Sequence, residues 1–205
     1  MGTTTDFASP VNASRQLALD ALLSRQSHWP LSEPAPNDVE LNLVFDAALR
    51  APDHGRLRPW RFVVVRDEAR EDLGQALVEI AAKRNPDAGP EAHEQRRRKA
   101  FAAPLIIVIA ASVSTQTNVP AGEQLLSVGA ATMNMLNALH ILGYGGFWAT
   151  GPDAYDKDLH QVLDFEPNEQ ILGFLFVGTP PADAEVKPRA ERGDHVREWL
   201  GRLSI

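Results

Sequence analysis

Short clusters of polar residues in this sequence have types and spacing suited to ligand chemistry. Arg25, Gln26 and Ser27 close a segment of helical periodicity and precede a loop. A guanidinium beside a hydroxyl suits a phosphate, because arginine offers a forked and permanently charged donor. The competing reading is a basic residue that complements the negative end of a helix. Arg50 and His54 flank Pro52 and Asp53, and His54 falls in an irregular stretch that core packing does not explain. They could form a polar wall around a flat ring, or simply a solvated helix end and a loop histidine. Gly145 and Gly146 permit close backbone approach, either in a plain turn or with an N–H aimed at a ligand. Trp148, Ala149 and Thr150 follow, an indole near a hydroxyl that could line an aromatic pocket or belong to the core.

Other chemistries are disfavoured. No glycine-rich loop ends in Gly-Lys-Ser/Thr, and there is no Gly-x-Ser-x-Gly elbow. The run from Gly143 to Trp148 starts like a dinucleotide fingerprint, but Trp148 stands at the third glycine and a helix precedes it. The 6 histidines are scattered without metal-ligand spacing, so no metal site is expected. With no cysteine there is no disulfide and no thiolate nucleophile. The formal net charge of −7 argues against nucleic acid or an anionic membrane as the main partner. The basic run Arg96 to Lys99 follows Glu91 and Glu94, and reads as a solvated face with ion pairs. The longest apolar run, Leu105 to Ala111, is far too short to span a bilayer. Met1 to Pro10 has no apolar signal core, and a cytoplasmic protein is expected.

The elements that would position these clusters follow from periodicity. Helices are expected over 13–26, over 39–50 with Asp38 as its cap, and over 68–84 and 91–102. The second of these should bury Leu41, Val44, Phe45, Ala48 and Leu49. A long helix over 121–142 has small and apolar residues nearly all round, so a partner subunit is expected to cover part of it. Strands are expected over 60–65, 105–111, 146–149 and 169–177, with short helices over 156–163 and 195–203. Strands interleaved with helices over 205 residues give one mixed α/β or α+β domain.

The order of these signals resembles the nitroreductase family of flavoproteins. Arg50-Ala51-Pro52 and Pro59-Trp60-Arg61-Phe62 are similar to that family's Arg-Ala-Pro … Pro-Trp-x-Phe segment. Upstream, Arg25-Gln26-Ser27 is similar to its Arg-Arg-Ser. Downstream come the long helix, the run Gly143 to Trp148, and Leu172 to Pro180, in the family's order. The resemblance covers roughly residues 15–181 and is nearest the small bacterial single-domain members. It implies an α+β fold, a central mixed sheet flanked by helices, with FMN at a homodimer interface. The domain would be 13–181, with a flexible tail at 1–12 and an arm at 182–205.

The implied activity passes reducing equivalents from NADH or NADPH to an oxidised organic acceptor such as a nitroaromatic or quinone. The chemistry would be centred on the flavin, with no side chain as a strict acid or base. By resemblance Arg25 and Ser27 hold the FMN phosphate and Gln26 touches the flavin or its ribityl chain. Arg50 and His54 reach FMN from the partner subunit, and Trp148, Ala149 and Thr150 line the ring on its other side. The chain departs from the family at Gln26, where a second arginine is usual, at Arg58 and at Ala149. The family's basic C-terminal phosphate ligands have no aligned counterpart; Lys187 and Arg189 are candidates. A flavin-binding protein for storage or sensing, and a cofactor-free interaction module using the charged arm, are the alternatives.

Overall fold

The computed structural model describes residues 13–201, so the tail expected at 1–12 lies outside the described residues. The sheet is organised around β2 (Leu105–Ser112), buried along its length as far as Ala111. Side-chain alternation sends Leu105, Ile107, Ile109 and Ala111 into one core and Ile106, Val108 and Ala110 into the other. A strand covered on both faces reads as an unbroken apolar run, as this one does. β1 (Trp60–Arg66) and β4 (Glu169–Gly178) flank it, and β3 (Gly145–Ala149) pairs with β4 as an edge, in the order β1-β2-β4-β3.

Every pairing is antiparallel, so the mixed sheet expected above is corrected to an antiparallel one among the described residues. The cause lies in the connections. α3 (Ala69–Arg84) and α4 (Pro90–Arg97) pack as a hairpin and return the chain to the end of the sheet where β1 finished. The single helix α5 (Ala121–Ile141) makes β3 run alongside β2 in direction, but β4 inserts between them. The register of β2 and β4 slips between Ile109 and Ala110, leaving Leu172 unpaired beside Gly173 at φ +143°. This bulge resets the alternation, so Ile171 and Phe174 pack into the same core.

α2 (Asp38–Ala48) and α5 cover one face of the sheet, and α3 with α6 (Lys157–Val162) cover the other. The cap of α2 is Asn37 rather than Asp38. Asn37 Oδ1 accepts from the N–H groups of Val39 and Glu40 at 2.9 and 3.0 Å, while Glu40 Oε2 accepts from Asn37 N at 2.9 Å. That reciprocal box starts the helix one residue earlier than Asp38 would. Leu41, Val44 and Ala48 are buried as expected, but Leu49 is 50% exposed. The expected helix 91–102 is α4 followed by a 3₁₀ turn, Arg98–Phe101.

Two stretches are less covered than their composition suggests. α1 (Ala13–Ser24) buries no residue, and Leu17, Leu19, Leu22 and Leu23 all face outward. On α5, Leu126, Met133 and Ile141 are exposed, and a side chain at Gly129 would meet nothing within 4 Å. Of the last expected helix, 195–203, residues 202–203 lie outside the described residues; in the rest there is only the short α7 (Arg192–His195), after which Val196, Trp199 and Leu200 are exposed in irregular chain.

Candidate functional site

The loop after α1 is fixed by the end of β4. Ser32 and Thr179 exchange backbone hydrogen bonds at 3.0 and 2.7 Å, and Thr179 Oγ1 donates to Pro34 O at 2.7 Å. The loop then lies directly against the start of β3. A Cβ on Gly145 would come within 2.6 Å of Leu31 Cδ2 and 3.4 Å of His28 Cβ, so glycine lets the loop pack closely there without displacing Leu31.

The C-terminal arm closes over the same loop. Gln26 is buried, and its Nε2 donates to Glu185 O at 2.9 Å while its Oε1 accepts from Lys187 N at 2.9 Å. Its amide therefore faces the arm and anchors it, instead of facing a ribityl chain. Lys187 Nζ donates to Ser27 O at 2.5 Å, and Arg189 Nη2 donates to Arg25 O at 2.7 Å. Lys187 and Arg189 thus join Arg25, Gln26 and Ser27, although sequence order alone did not align them.

Two histidines that the sequence did not single out complete the cluster. His140, near the C-terminus of α5, lies with Nε2 3.0 Å from Ser24 Oγ, and His28 follows Ser27 in the loop. His28 directly follows the Arg25–Ser27 run, a signal that was present; His140 is brought in only by the fold. No carboxylate forms an ion pair with any of these cations among the described residues. The electrostatics follow from that. Burial, then the charge of Arg189, lowers Arg25 below its usual value. Burial, then Lys187, His140 and Arg25, lowers His28, while burial and then Arg25 lower His140. Arg25 Nε and Nη1 are buried with no hydrogen-bond partner. Buried donors without an acceptor are costly and mark a place where an acceptor belongs.

β3 leads away from this cluster. Ala149 lies about 13 Å along the strand from Gly145. Strand alternation splits the predicted trio. Gly146 faces Leu136 and Leu139 of α5, and Trp148 shares that face, 39% exposed. Ala149 and Thr150 line a cavity of ≈ 230 Å³ on the opposite face, with Trp29, Phe147, Phe174 and Phe176. Gly173 lets the indole lie across β4, since a Cβ there would stand 2.7 Å from Trp148 Nε1 and 2.6 Å from Ala149 O.

Arg50 and His54 are elsewhere. His54 Nδ1 lies 2.6 Å from Glu123 Oε2, at the start of α5, while His140 and Arg25 are at its end. These two positions on α5 are about 25 Å apart at the rise of an α-helix. A single chain therefore brings Arg25, Gln26 and Ser27 to the same sheet edge as Trp148, Ala149 and Thr150, leaves His54 at the far end of α5, and sets Arg50 beside its middle, where Arg50 N and Asn134 Nδ2 both donate to Ala47 O.

The model described as "Nitroreductase family" matches residues 22–179. The chain is 35% identical over 167 residues to "Putative NAD(P)H nitroreductase YdjA" of Escherichia coli (strain K12), covering 82% of this chain and 90% of the relative. It superposes on a nitroreductase-like family protein from Bacillus cereus with a TM-score of 0.76 at 19% identity, covering 90% of this chain and 96% of that one. A variant of the FMN and NADPH-dependent nitroreductase NfnB from sphigopyxis sp. strain HMH gives 0.69 at 18% identity, over 90% of this chain and 99% of that one. On the strength of the matched family model and the relative's identity, this chain belongs to the nitroreductase family.

Proposed function

We propose that this oxidoreductase is FMN-dependent and passes reducing equivalents from NAD(P)H to an oxidised organic acceptor such as a nitroaromatic or quinone. The observation that carries the reading is the cluster of three cations, Arg25, Lys187 and Arg189, with His28 and His140 beside them and two buried Arg25 nitrogens lacking an acceptor. That donor set fits a phosphomonoester: several cations, a forked guanidinium, and no competing carboxylate. Nitroreductase NfnB is FMN and NADPH-dependent, in keeping with this assignment.

In this reading Arg25, Ser27, Lys187 and Arg189 hold the phosphate, and Gln26 holds the arm that carries Lys187. The β3 strand and the residue after it would lie beside the cofactor, with Trp148 on one face of the strand and Ala149 and Thr150 on the other. FMN held there would supply the redox chemistry that links nicotinamide and acceptor. The side chains exclude water and orient both partners against the ring.

The protein acts as a homodimer in the cytoplasm. An isologous pairing of two α5 helices, antiparallel about a twofold axis, covers Leu126, Gly129, Met133 and Ile141. It also carries Arg50 and His54 of one protomer toward the Arg25 cluster of the other; within one chain His54 and that cluster are about 25 Å apart along α5. No described helix is long and apolar enough to cross a membrane. The test is the absorption spectrum of protein supplemented with FMN and desalted, before and after anaerobic NADH or NADPH. Retained flavin bands that bleach support the reading. Flavin that stays oxidised points to storage or sensing, and absence of retained flavin overturns the FMN assignment.

A further inference from the structure

The phosphate cluster contains two groups that can change charge, and no family motif in this sequence includes them. His28 lies between the Arg25–Ser27 run and Leu31, its Cβ 3.4 Å from where a side chain on Gly145 would begin. His140 comes from the other side, on the last turn of α5, bonded to Ser24 at the end of α1. Ser24 Oγ is directed at Ala21 O at 3.3 Å, so its hydroxyl proton is engaged there and it accepts from His140 Nε2–H. Nδ1 of His140 is then the nitrogen that gains a proton.

We propose that His28 and His140 are phosphate ligands of this site, each neutral when it is empty and each carrying a proton when it is filled, so that binding of the phosphorylated cofactor takes up protons. This rests on the FMN reading above. The charges acting on the two imidazoles are all positive: Arg25 on both, and Lys187 and His140 on His28. Asp183 and Glu185 on the arm make no ion pair with them among the described residues, where the Glu185 contact is through its backbone carbonyl to Gln26. In the empty site burial disfavours a second proton on each ring, and the neighbouring positive charges add to that. A phosphate dianion reverses the sign of the local field and replaces the repulsion with charge-assisted hydrogen bonds. The loss of the second arginine at position 26 is offset by cations that appear only with the ligand. An empty site is then spared the repulsion of five permanent charges.

The experiment measures the imidazole pKa values of His28 and His140 by NMR, in apoprotein, with saturating FMN and with saturating riboflavin, which lacks the phosphate. It also measures FMN affinity from pH 6.5 to 8.5 for wild type and for the His28→Gln/His140→Gln double variant. Both histidines should titrate below 6.5 in the apoprotein. Both should rise with FMN but not with riboflavin. Wild-type affinity for FMN should weaken by about tenfold for each released proton per pH unit at most, and the double variant should lose that slope. Imidazole pKa values unmoved by FMN, or an equal slope in the double variant, overturn the proposal while leaving FMN binding intact. No FMN binding at any pH overturns the proposal and the FMN reading together. Wild-type-like melting of the apo double variant separates a lost ligand from a lost fold.

Discussion

Gln26 and Lys187 are joined at 2.9 Å, the side-chain Oε1 of the first accepting from the backbone N–H of the second. The other end of the same amide donates to Glu185 O at 2.9 Å, so one buried side chain grips the arm on both sides of Val186. The usual second arginine of this family's motif is thus replaced by a neutral group that positions a different cation. Gln26→Ala removes both bonds without adding charge. Expected are faster proteolysis within 182–201 and a roughly tenfold weaker FMN affinity, about 1.4 kcal/mol. Limited proteolysis beside a fluorescence titration reads both. An arm that resists cleavage as before, with unchanged affinity, would mean that the amide does not anchor it.

Gly173 controls the ring end of the site in the same indirect way. At φ +143° it holds a backbone conformation that a side chain disfavours, and its missing Cβ leaves room for Ala149 O and Trp148 Nε1. Gly173→Ala should cost about 2 kcal/mol of stability or more, because both strained backbone and a backbone clash are introduced. β3 must shift in response, so FMN affinity should fall beyond what stability alone explains. Urea unfolding of the apoprotein and FMN titration of the folded fraction separate the two effects. Unaltered stability would show that the bulge accommodates a methyl group.

How much of this was legible in the sequence depends on whether a signal was local. Trp60–Arg66 declared itself by aromatic and β-branched content, Leu105–Ser112 by its apolar run, and α5 by its length. Arg25 and Ser27 were found through motif order. The antiparallel pairing was not legible, since it depends on β4 inserting between β2 and β3, a long-range choice that leaves no local trace. Asn37 and Asp38 are both good caps, and only the return bond from Glu40 decides between them. Lys187 and Arg189 were candidates by their charge alone, without an aligned motif, and nothing in the neighbourhood of His140, far in sequence from Arg25, marks it. The helix expected over 195–203 had the right spacing in Val196, Trp199 and Leu200, but within one chain it has no core to pack against.

The apoprotein should lose stability on mild acidification. His28 and His140 have folded pKa values below the usual 6.5, so between those values and 6.5 the unfolded chain binds more protons than the folded one. Stability therefore rises with pH across that window and falls as pH drops through it. Asp156 contributes in a lower window. Burial alone would raise its carboxyl, but Arg84 and the N–H groups of Asp158 and Leu159 outweigh burial and hold it below 3.8. Its contribution is present above 3.8 and is lost as pH falls further. Thermal melts from pH 7.5 to 5 should show a decline in wild type that His28→Gln/His140→Gln reduces. Parallel decline in both proteins would place the acid sensitivity elsewhere.

The composite site can be tested by mixing chains. Arg50→Ala/His54→Ala should leave stability nearly unchanged, because the His54–Glu123 pair is half-exposed and such pairs are worth about 1 kcal/mol at most. Neither this variant nor Arg25→Ala should turn over well alone. In an equilibrated mixture, half of the dimers are mixed, and each mixed dimer regains one native site of two. Activity should therefore recover to about a quarter of wild type. No recovery in mixtures shown to exchange subunits would mean that Arg50 and His54 do not serve the neighbouring protomer's cluster.

Gly129 offers the sharpest separation of fold from assembly. A side chain at this position meets nothing within 4 Å in the single chain, and it sits on the α5 stripe with exposed Leu126 and Met133. Judged on one chain, Gly129→Arg is harmless: it replaces the poorest helix former after proline with a good one, a gain of roughly 0.5–1 kcal/mol in helix propensity. Judged on the proposed dimer, it is severe, because two copies of the new cation meet near the twofold axis without a partner. The two views predict opposite outcomes. Expected are a folded monomer by sedimentation, with native-like circular dichroism, and loss of FMN retention because Arg50 and His54 no longer reach the neighbour's cluster. A dimeric Gly129→Arg protein with normal FMN retention would move the interface off this face of α5. The long exposed helix surface, together with the outward leucines of α1, would then need a different cover.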